Sequence, residues 1–494
     1  MIRFTKWAIW LYIILLIFEG ALRKWVAPSL ASPLLIVRDP VLLLIYALAI
    51  MQGVVPHNKF IVALGALAVG SFCLAFLAGQ NNLYVTLFGI RTNYLHVPLI
   101  WVMGEIFTRK DAERVGVFFL LMSVVMTAFM ILQFKAPIES WINRGIGDDD
   151  MGQIYGAAGH IRPPGLFTFI TGPMVFFPLA TAFFLHALTA GKSNFWRLVL
   201  LIASGLSIAI ALPISISRGT MIATGFVLVV YVLGLLKSGV LNFAFLRFAV
   251  MGLLLLVALS FLPLFKEAQG VFMDRWDTAS AEVEGNAVGS LINRVTSAFS
   301  QPLDTMARTP TFGYGIGVGT NAGASMLSGR TGFLLAEDEW GRVIMELGPL
   351  LGLSFILLRI GIVLSLGVAA LRALRHEKDM MPMLIYSACA WVILMNQWGQ
   401  PTQLGFAVVG GGLLLASLNR KDEEDEEDED QDEDEEEEDD DDSDDDTTDD
   451  EDDDSDNEDD EEEDDEDSDE DETPEPPKTI SSELEAKRRR LRGQ

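Results

Sequence analysis

The sequence predicts an all-α fold, a polytopic transmembrane helical bundle of about twelve spans, followed by a disordered acidic tail. Three observations predict it. Apolar runs such as 60–79, 115–134, 219–236 and 248–264 approach or reach the ~20 residues that cross a hydrocarbon core of ~30 Å, where a helix satisfies its own backbone. Lysine and arginine recur in alternate connections between these runs. Beyond Arg420 the composition changes abruptly: 47 of the 68 acidic residues lie there but only 7 of the 36 lysines and arginines, leaving the body at +8 and the tail at −40. The formal net charge of −32 is therefore a property of the tail.

The first span, 7–22, follows a basic start at Arg3 and Lys6. Ser29, Leu30 and Ala31 resemble a small-x-small cleavage site. They lie beyond Arg23 and Lys24, too far from the apolar run, so the segment reads as an uncleaved span. Further spans follow at 34–51, 60–79, 84–107, 115–134, 166–188, 198–214, 219–236, 248–264, 340–371, 381–396 and 404–418. With the N-terminus inside, the inner connections carry His57 and Lys59; Arg109, Lys110 and Arg114; Lys192 and Arg197; Lys237 and Arg247; Arg372, Arg375 and Lys378; then Arg420 and Lys421. All are basic, as the positive-inside rule requires, and both termini face the cytoplasm.

Two substantial segments remain outside, 135–165 and 265–339, and in the second 291–306 has the pattern of an amphipathic helix along the membrane surface. Residues 1–420 form the transmembrane domain and 421–494 the tail. From Asp422 to Glu472 the tail is nearly pure Asp and Glu; it repels itself and has no apolar surface to bury, so disorder is expected. A basic cluster at 487–492 is placed to fold back on the acidic run or to touch anionic headgroups. Cys73 and Cys389 lie in apolar runs with no metal or disulfide spacing and act as small hydrophobes.

Loop polarity does not explain several other charges. Arg23 and Lys24 close the first span, Arg38 and Asp39 open the second, Arg162 precedes the sixth, and Arg218 heads the eighth. A single arginine at a helix end ordinarily snorkels to the interface. Arg91 is deeper, about two helical turns inside the fourth span. An ionised group at a span centre costs at least ~2.5–3.5 kcal/mol, and such residues usually face a cavity on a functional path. Arginines converging on the outer side suit a phosphate-bearing lipid ligand, because the planar fork pairs bidentately with phosphate oxygens. Arg91, Arg218, Arg162 and Arg38 are the candidate diphosphate ligands. Glu19 and Arg23, four apart, suit a simple ion pair; His96 reads as a satisfied interior histidine; Glu346, two turns inside the tenth span, needs a partner such as Arg91.

Gly313, Gly315, Gly317 and Gly319 alternate, but without phosphate-loop or dinucleotide spacing and without a surrounding βα unit. No nucleotide site and no nucleic-acid partner is expected. Such glycines either let backbone approach a bulky ligand or allow close packing.

The order of these features resembles the O-antigen ligase and O-antigen polymerase superfamily. The resemblance rests on Ser217-Arg218-Gly219, a large outer segment before the tenth span, the Pro-x-x-Gly-x-Gly passage from Pro310 to Gly315, and Glu-x-Gly from Glu346 to Gly348. The stretch from Phe18 to Trp25 (FEGALRKW), Arg38-Asp39-Pro40 and Gly89-Ile90-Arg91 look like a subgroup. The resemblance covers nearly the whole body and excludes the tail.

It implies a GT-C-like bundle in a bacterial inner membrane, with 265–339 as a large periplasmic loop. It also implies a metal-independent, cofactor-free transferase that moves glycan from undecaprenyl diphosphate to a glycan or lipid acceptor at the periplasmic face. In the family a histidine, the proposed base, commonly stands about nine residues before the Glu-x-Gly glutamate. Here that position is Glu337, followed by Asp338 and Glu339, and His160 is the outer-loop histidine.

Fixed arginines can stabilise a leaving diphosphate without a metal, and a carboxylate in a low-dielectric cavity can deprotonate an acceptor hydroxyl. Glu337 and Glu339 are the candidate catalytic residues, with Gly313, Gly315 and Arg342 as the acceptor-side loop. The plainer alternative is a salt bridge between Asp338 and Arg342, with Glu339 on the same polar face. A transporter or flippase for a lipid-linked or anionic saccharide would also use buried arginines, although no internal repeat is visible. A scaffold that only presents the tail would not need Arg91 inside a span.

Overall fold

The computed structural model describes residues 1–420 except 55, 79–81, 147–154, 190–193, 239–258, 282–295, 298–299, 303, 330–331 and 333. The chain divides into two units, Met1–Asp430 and Gln431–Gln494, and every described residue belongs to the first. The tail and half of 291–306 lie outside the described residues.

The fold is a helical bundle. Helix α1 (Ile2–Ala21) runs into a π-helical turn, Leu22–Val26, and two 3-10 turns lead to α2 (Arg38–Met51). Then come α3 (Lys59–Leu77), α4 (Leu83–Ile90), α5 (Leu99–Ile106) and α6 (Arg109–Lys135). Asn58 and Asn82 cap α3 and α4 through their side-chain oxygens, and Thr108 with Asp111 forms a capping box on α6. A small antiparallel hairpin, β1 (Tyr155–Ala157) and β2 (His160–Ile161), turns through Ala158 and Gly159, both at positive φ, before α7 (Thr171–Thr189). The remaining helices are α8 (Phe195–Ile214), α9 (Arg218–Ser238), α10 (Pro263–Ala281), α11 (Asn321–Ser328), α12 (Glu339–Arg372), α13 (Met381–Met395) and α14 (Pro401–Ser417).

Eight of the described helices are long and apolar enough to cross a membrane: α1, α2, α3, α6, α7, α8, α9 and α12. Helices α13 and α14 are apolar but shorter, roughly 22 and 26 Å at 1.5 Å per residue. Three expectations change in form. The span expected at 84–107 is two helices, α4 and α5, separated by a π-helical turn, Arg91–Leu95, and by Pro98, which has no N–H to continue the ladder. The span at 340–371 breaks at Gly348–Pro349. The outer segment expected from 265 begins as α10, which packs against α8. Most of the span expected at 248–264 lies outside the described residues.

The core sits around α14, almost every residue of which is buried. It packs against α5 and α13, and its glycines permit the approach: a β-carbon at Gly410 would meet Cβ of Cys389 at 2.6 Å, and one at Gly412 would meet Sδ of Met103 at 2.7 Å. One end of the bundle is closed by Asp379, which pairs with Arg109 and with Arg420, while Asn419 donates to the carbonyls of Gly104 and Phe107. The sequence placed these three connections on a common side, and the structure gathers them. An apolar cavity of about 740 Å³, rimmed by Glu113, His186 and Trp196, opens at this end between α6, α7 and α8.

Candidate functional site

The alternating-glycine loop packs between α4 and the break in α12, and a hydrogen bond from Arg342 to Asn93 links α12 to the turn that separates α4 from α5. Pro349 has no N–H for the Met345 carbonyl, and Gly348, at φ 77° and ψ 167°, turns the chain out of the helix. The loop supplies what the break removed: Tyr314 N–H donates to the Met345 carbonyl (2.8 Å) and Gly315 N–H to that of Glu346 (3.0 Å). On its other side the loop presses on α4. A β-carbon at Gly317 would lie 2.3 Å from the Val85 carbonyl oxygen. Of the two readings of these glycines, the geometry fits close packing, and Gly313 and Gly315 serve the fold of α12.

Two buried ionic networks flank the breaks. In the first, Glu19 accepts from Arg23 (3.3 Å) and from Arg38 (3.1 Å); Arg38 also donates to Tyr12 Oη (3.3 Å) and to the Pro401 carbonyl (2.7 Å). Tyr12 Oη meets His96 Nδ1 at 2.8 Å, His96 Nε2 meets Asp39 at 3.1 Å, and Asp39 holds Arg91 through Nε and, at 2.9 Å, Nη2. Three guanidinium groups thus share two carboxylates. Arg91 is 8% exposed, yet its Nη1 finds no hydrogen-bond partner among the described residues.

In the second network Arg342 donates to Glu339 (2.8 and 3.0 Å), to Glu346 (2.7 Å) and to Asn93 Oδ1 (2.9 Å). Arg359 donates to Glu339 (2.6 Å) and to the Ile393 and Asn396 carbonyls, and lies 4.0 Å from the centre of the Trp398 ring. The backbone N–H of Trp398 donates to Glu339 and that of Gly319 to Glu346. Two arginines and two glutamates balance, as burial demands. The break in α4–α5 joins the networks, Arg91 reaching into one and Asn93 into the other.

Above Glu339 a cleft of about 340 Å³ opens where α7, α12, α13 and α14 meet, lined by Thr171, Glu337, Trp391, Asn396, Gln397, Gln400 and Gln403 among others. Thr171 donates to Gln400 Oε1 (3.0 Å), Gln400 to Gln397 (2.8 Å) and Gln403 to Gln400 (2.7 Å), so the glutamines tie three helix ends together. Gln397 also donates to the backbone carbonyl of Glu337.

The expected residues now have places. Arg38 and Arg91 share one network; Arg162 is half-buried just after β2, and Arg218 heads α9 with its guanidinium 6.0 Å from the centre of the Trp276 ring of α10. Glu339 and Arg342 share the second network, and Glu339 is enclosed by cations. Glu337 is exposed at the cleft. Glu346 pairs with Arg342 rather than Arg91, and Asp338 caps α12 by accepting from Gly341 N–H instead of pairing with Arg342. His160 stacks on Phe134, ring centres 4.1 Å apart, and bonds the Phe134 carbonyl. Among the described residues no group of three His, Cys, Asp or Glu is gathered to hold a metal ion.

Sequence reasoning passed over Arg359, although it is a charge inside an expected span, the signal that drew attention to Arg91. It also passed over the three glutamines between Asn396 and Leu404, a polar interruption of two apolar runs. The chain matches no family model, no curated protein and no solved structure.

Proposed function

We propose that the chain is a metal-independent glycan transferase that moves saccharide from undecaprenyl diphosphate to an acceptor hydroxyl at the periplasmic face of a bacterial inner membrane. In this reading the body has about twelve spans and both termini lie in the cytoplasm. The observation that carries the proposal is the spare nitrogen of Arg91 in a network with one more guanidinium than carboxylates. Asp39 orients Arg91, and Nη1 is left to donate to an anion. A diphosphate brings the missing negative charge, and its charge grows as the sugar departs, so the fixed donor holds the transition state more strongly than the ground state.

Glu337, exposed beside Asp338 at the mouth of α12, takes the proton of the attacking hydroxyl. Glu339, held by Arg342, Arg359 and the Trp398 N–H, fixes the floor beneath it. The test is turnover of a purified lipid-diphosphate-linked saccharide. Arg91→Lys keeps a charge beside Asp39 but loses the fork, and Glu337→Gln keeps shape but loses the proton acceptor. Each is expected to slow transfer, the second by about a hundred- to ten-thousandfold. Equal turnover by wild type and both variants would sink the proposal.

One observation favours a second reading. Two interrupted helices meeting inside a bundle are a feature of carriers, so a transporter or flippase of the same lipid-linked saccharide is the alternative. Deleting the gene separates them: loss of a transferase accumulates lipid-linked units on the periplasmic side, loss of a flippase on the cytoplasmic side.

A further inference from the structure

The geometry points to the cleft between the ends of α7, α12, α13 and α14 as a binding site for a neutral saccharide, the sugar that presents the acceptor hydroxyl. Among the described residues its lining includes Glu337, Asp338 and Glu339 but no lysine, arginine or histidine. Such a lining repels the diphosphate that Arg91 attracts, and instead accepts hydrogen bonds from hydroxyl groups. Gln397, Gln400, Gln403 and Thr171 add side chains that both donate and accept, which matches a polyhydroxyl ligand whose every oxygen does the same. Trp391, 46% exposed, offers an aromatic face for the apolar C–H face of a sugar ring. The volume, about 340 Å³, falls at the small end of ligand sites of roughly 300–1,000 Å³.

An independent observation singles out a ligand. Asn396 lines the cleft and is 6% exposed, yet its Nδ2 has no hydrogen-bond partner among the described residues. A buried amide donor left unpaired is costly, and a hydroxyl arriving in the cleft would satisfy it. Arg359 fixes the backbone at that point by donating to the Asn396 carbonyl, so the side chain stands on a rigid support. The cleft also adjoins the first network: Gln400 lines it, and the next residue, Pro401, gives its carbonyl to Arg38. An acceptor sugar held here has Glu337 beside it.

The acceptor role rests on the transferase reading, while saccharide binding is measured apart from turnover. The probe is the free oligosaccharide released by mild acid from the host's own lipid-linked pool. It is titrated into the purified full-length protein by calorimetry, with inorganic pyrophosphate as the anionic comparison. Asn396→Ala and Trp391→Ala are expected to weaken oligosaccharide binding about tenfold or more, with pyrophosphate binding and the thermal midpoint unchanged. Nδ2 of Asn396 has no hydrogen-bond partner among the described residues, so that variant tests the site without cutting an internal contact. No binding of the oligosaccharide by wild type, or equal binding by both variants, would overturn the assignment. Binding that depends on Asn396 and Trp391 in a protein that turns over no lipid-linked donor would leave the cleft standing and remove the transferase reading. Turnover without such dependence would do the reverse.

Discussion

At the scale of single residues, the carboxylates at 337 and 339 are two positions apart and live in different environments. Glu339 is 3% exposed and answers two guanidinium groups and an N–H, whereas the Glu337 side chain is exposed and its backbone carbonyl accepts from Gln397. Breaking one member out of a buried ion network leaves charge uncompensated and costs about 3–5 kcal/mol. Glu339→Gln is therefore expected to lower the thermal midpoint substantially in detergent solution, and Glu337→Gln to leave it within error. Similar midpoints for both variants would show that the network around Arg342 and Arg359 does not hold the fold. In the proposed transferase this split gives positioning to Glu339 and proton transfer to Glu337.

At the scale of elements, the two broken helices and the glycine loop form one unit. Tyr314 and Gly315 satisfy the carbonyls that the break at Gly348–Pro349 exposes, and Gly317, at φ 93°, lets the loop touch α4. Gly317→Ala adds a β-carbon where the Val85 carbonyl already stands and imposes a backbone angle that alanine resists, together a loss of about 2–4 kcal/mol. Gly225→Ala is the control: it lies in α9 with nothing within 4 Å of an added β-carbon, and is expected to be neutral or slightly stabilising. Thermal unfolding of the pair measures the difference, and equal midpoints would mean that the loop yields without cost.

At the scale of the whole molecule, Arg109, Asp379 and Arg420 clasp one end of the bundle, and the cleft lies at the other ends of α7 and α12. A reporter fused after Arg420 is expected to report cytoplasm, and one inserted at Gly329, an open turn at positive φ, to report periplasm. Both on one side would place the cleft and the basic end wrongly with respect to the membrane. Truncation after Arg420 is expected to keep activity, because self-repelling acidic sequence builds no shaped site. Loss of turnover in a truncated protein that still inserts would overturn that expectation.

The sequence by itself determined that this is a helical membrane protein, because an apolar run of ~20 residues has few other fates, and it marked Arg91 because a charge inside such a run must be answered. Pairing of Glu19 with Arg23 was legible too, since a helix brings residues four apart together. The tertiary structure alone decided the rest. That Arg91 is answered by Asp39, 52 residues away, and Arg342 by Asn93, 249 residues away, depends on which helices become neighbours, and hydropathy is blind to that choice. The same holds for the glycine loop, whose spacing fits a ligand loop and a packing wedge equally well until α4 and α12 close on it. The cleft gathers residues from four helix ends, Thr171 and Gln400 lying 229 positions apart, and their local sequences carry no sign of one another because the force that assembles them, burial of apolar surface around α14, acts without regard to position along the chain.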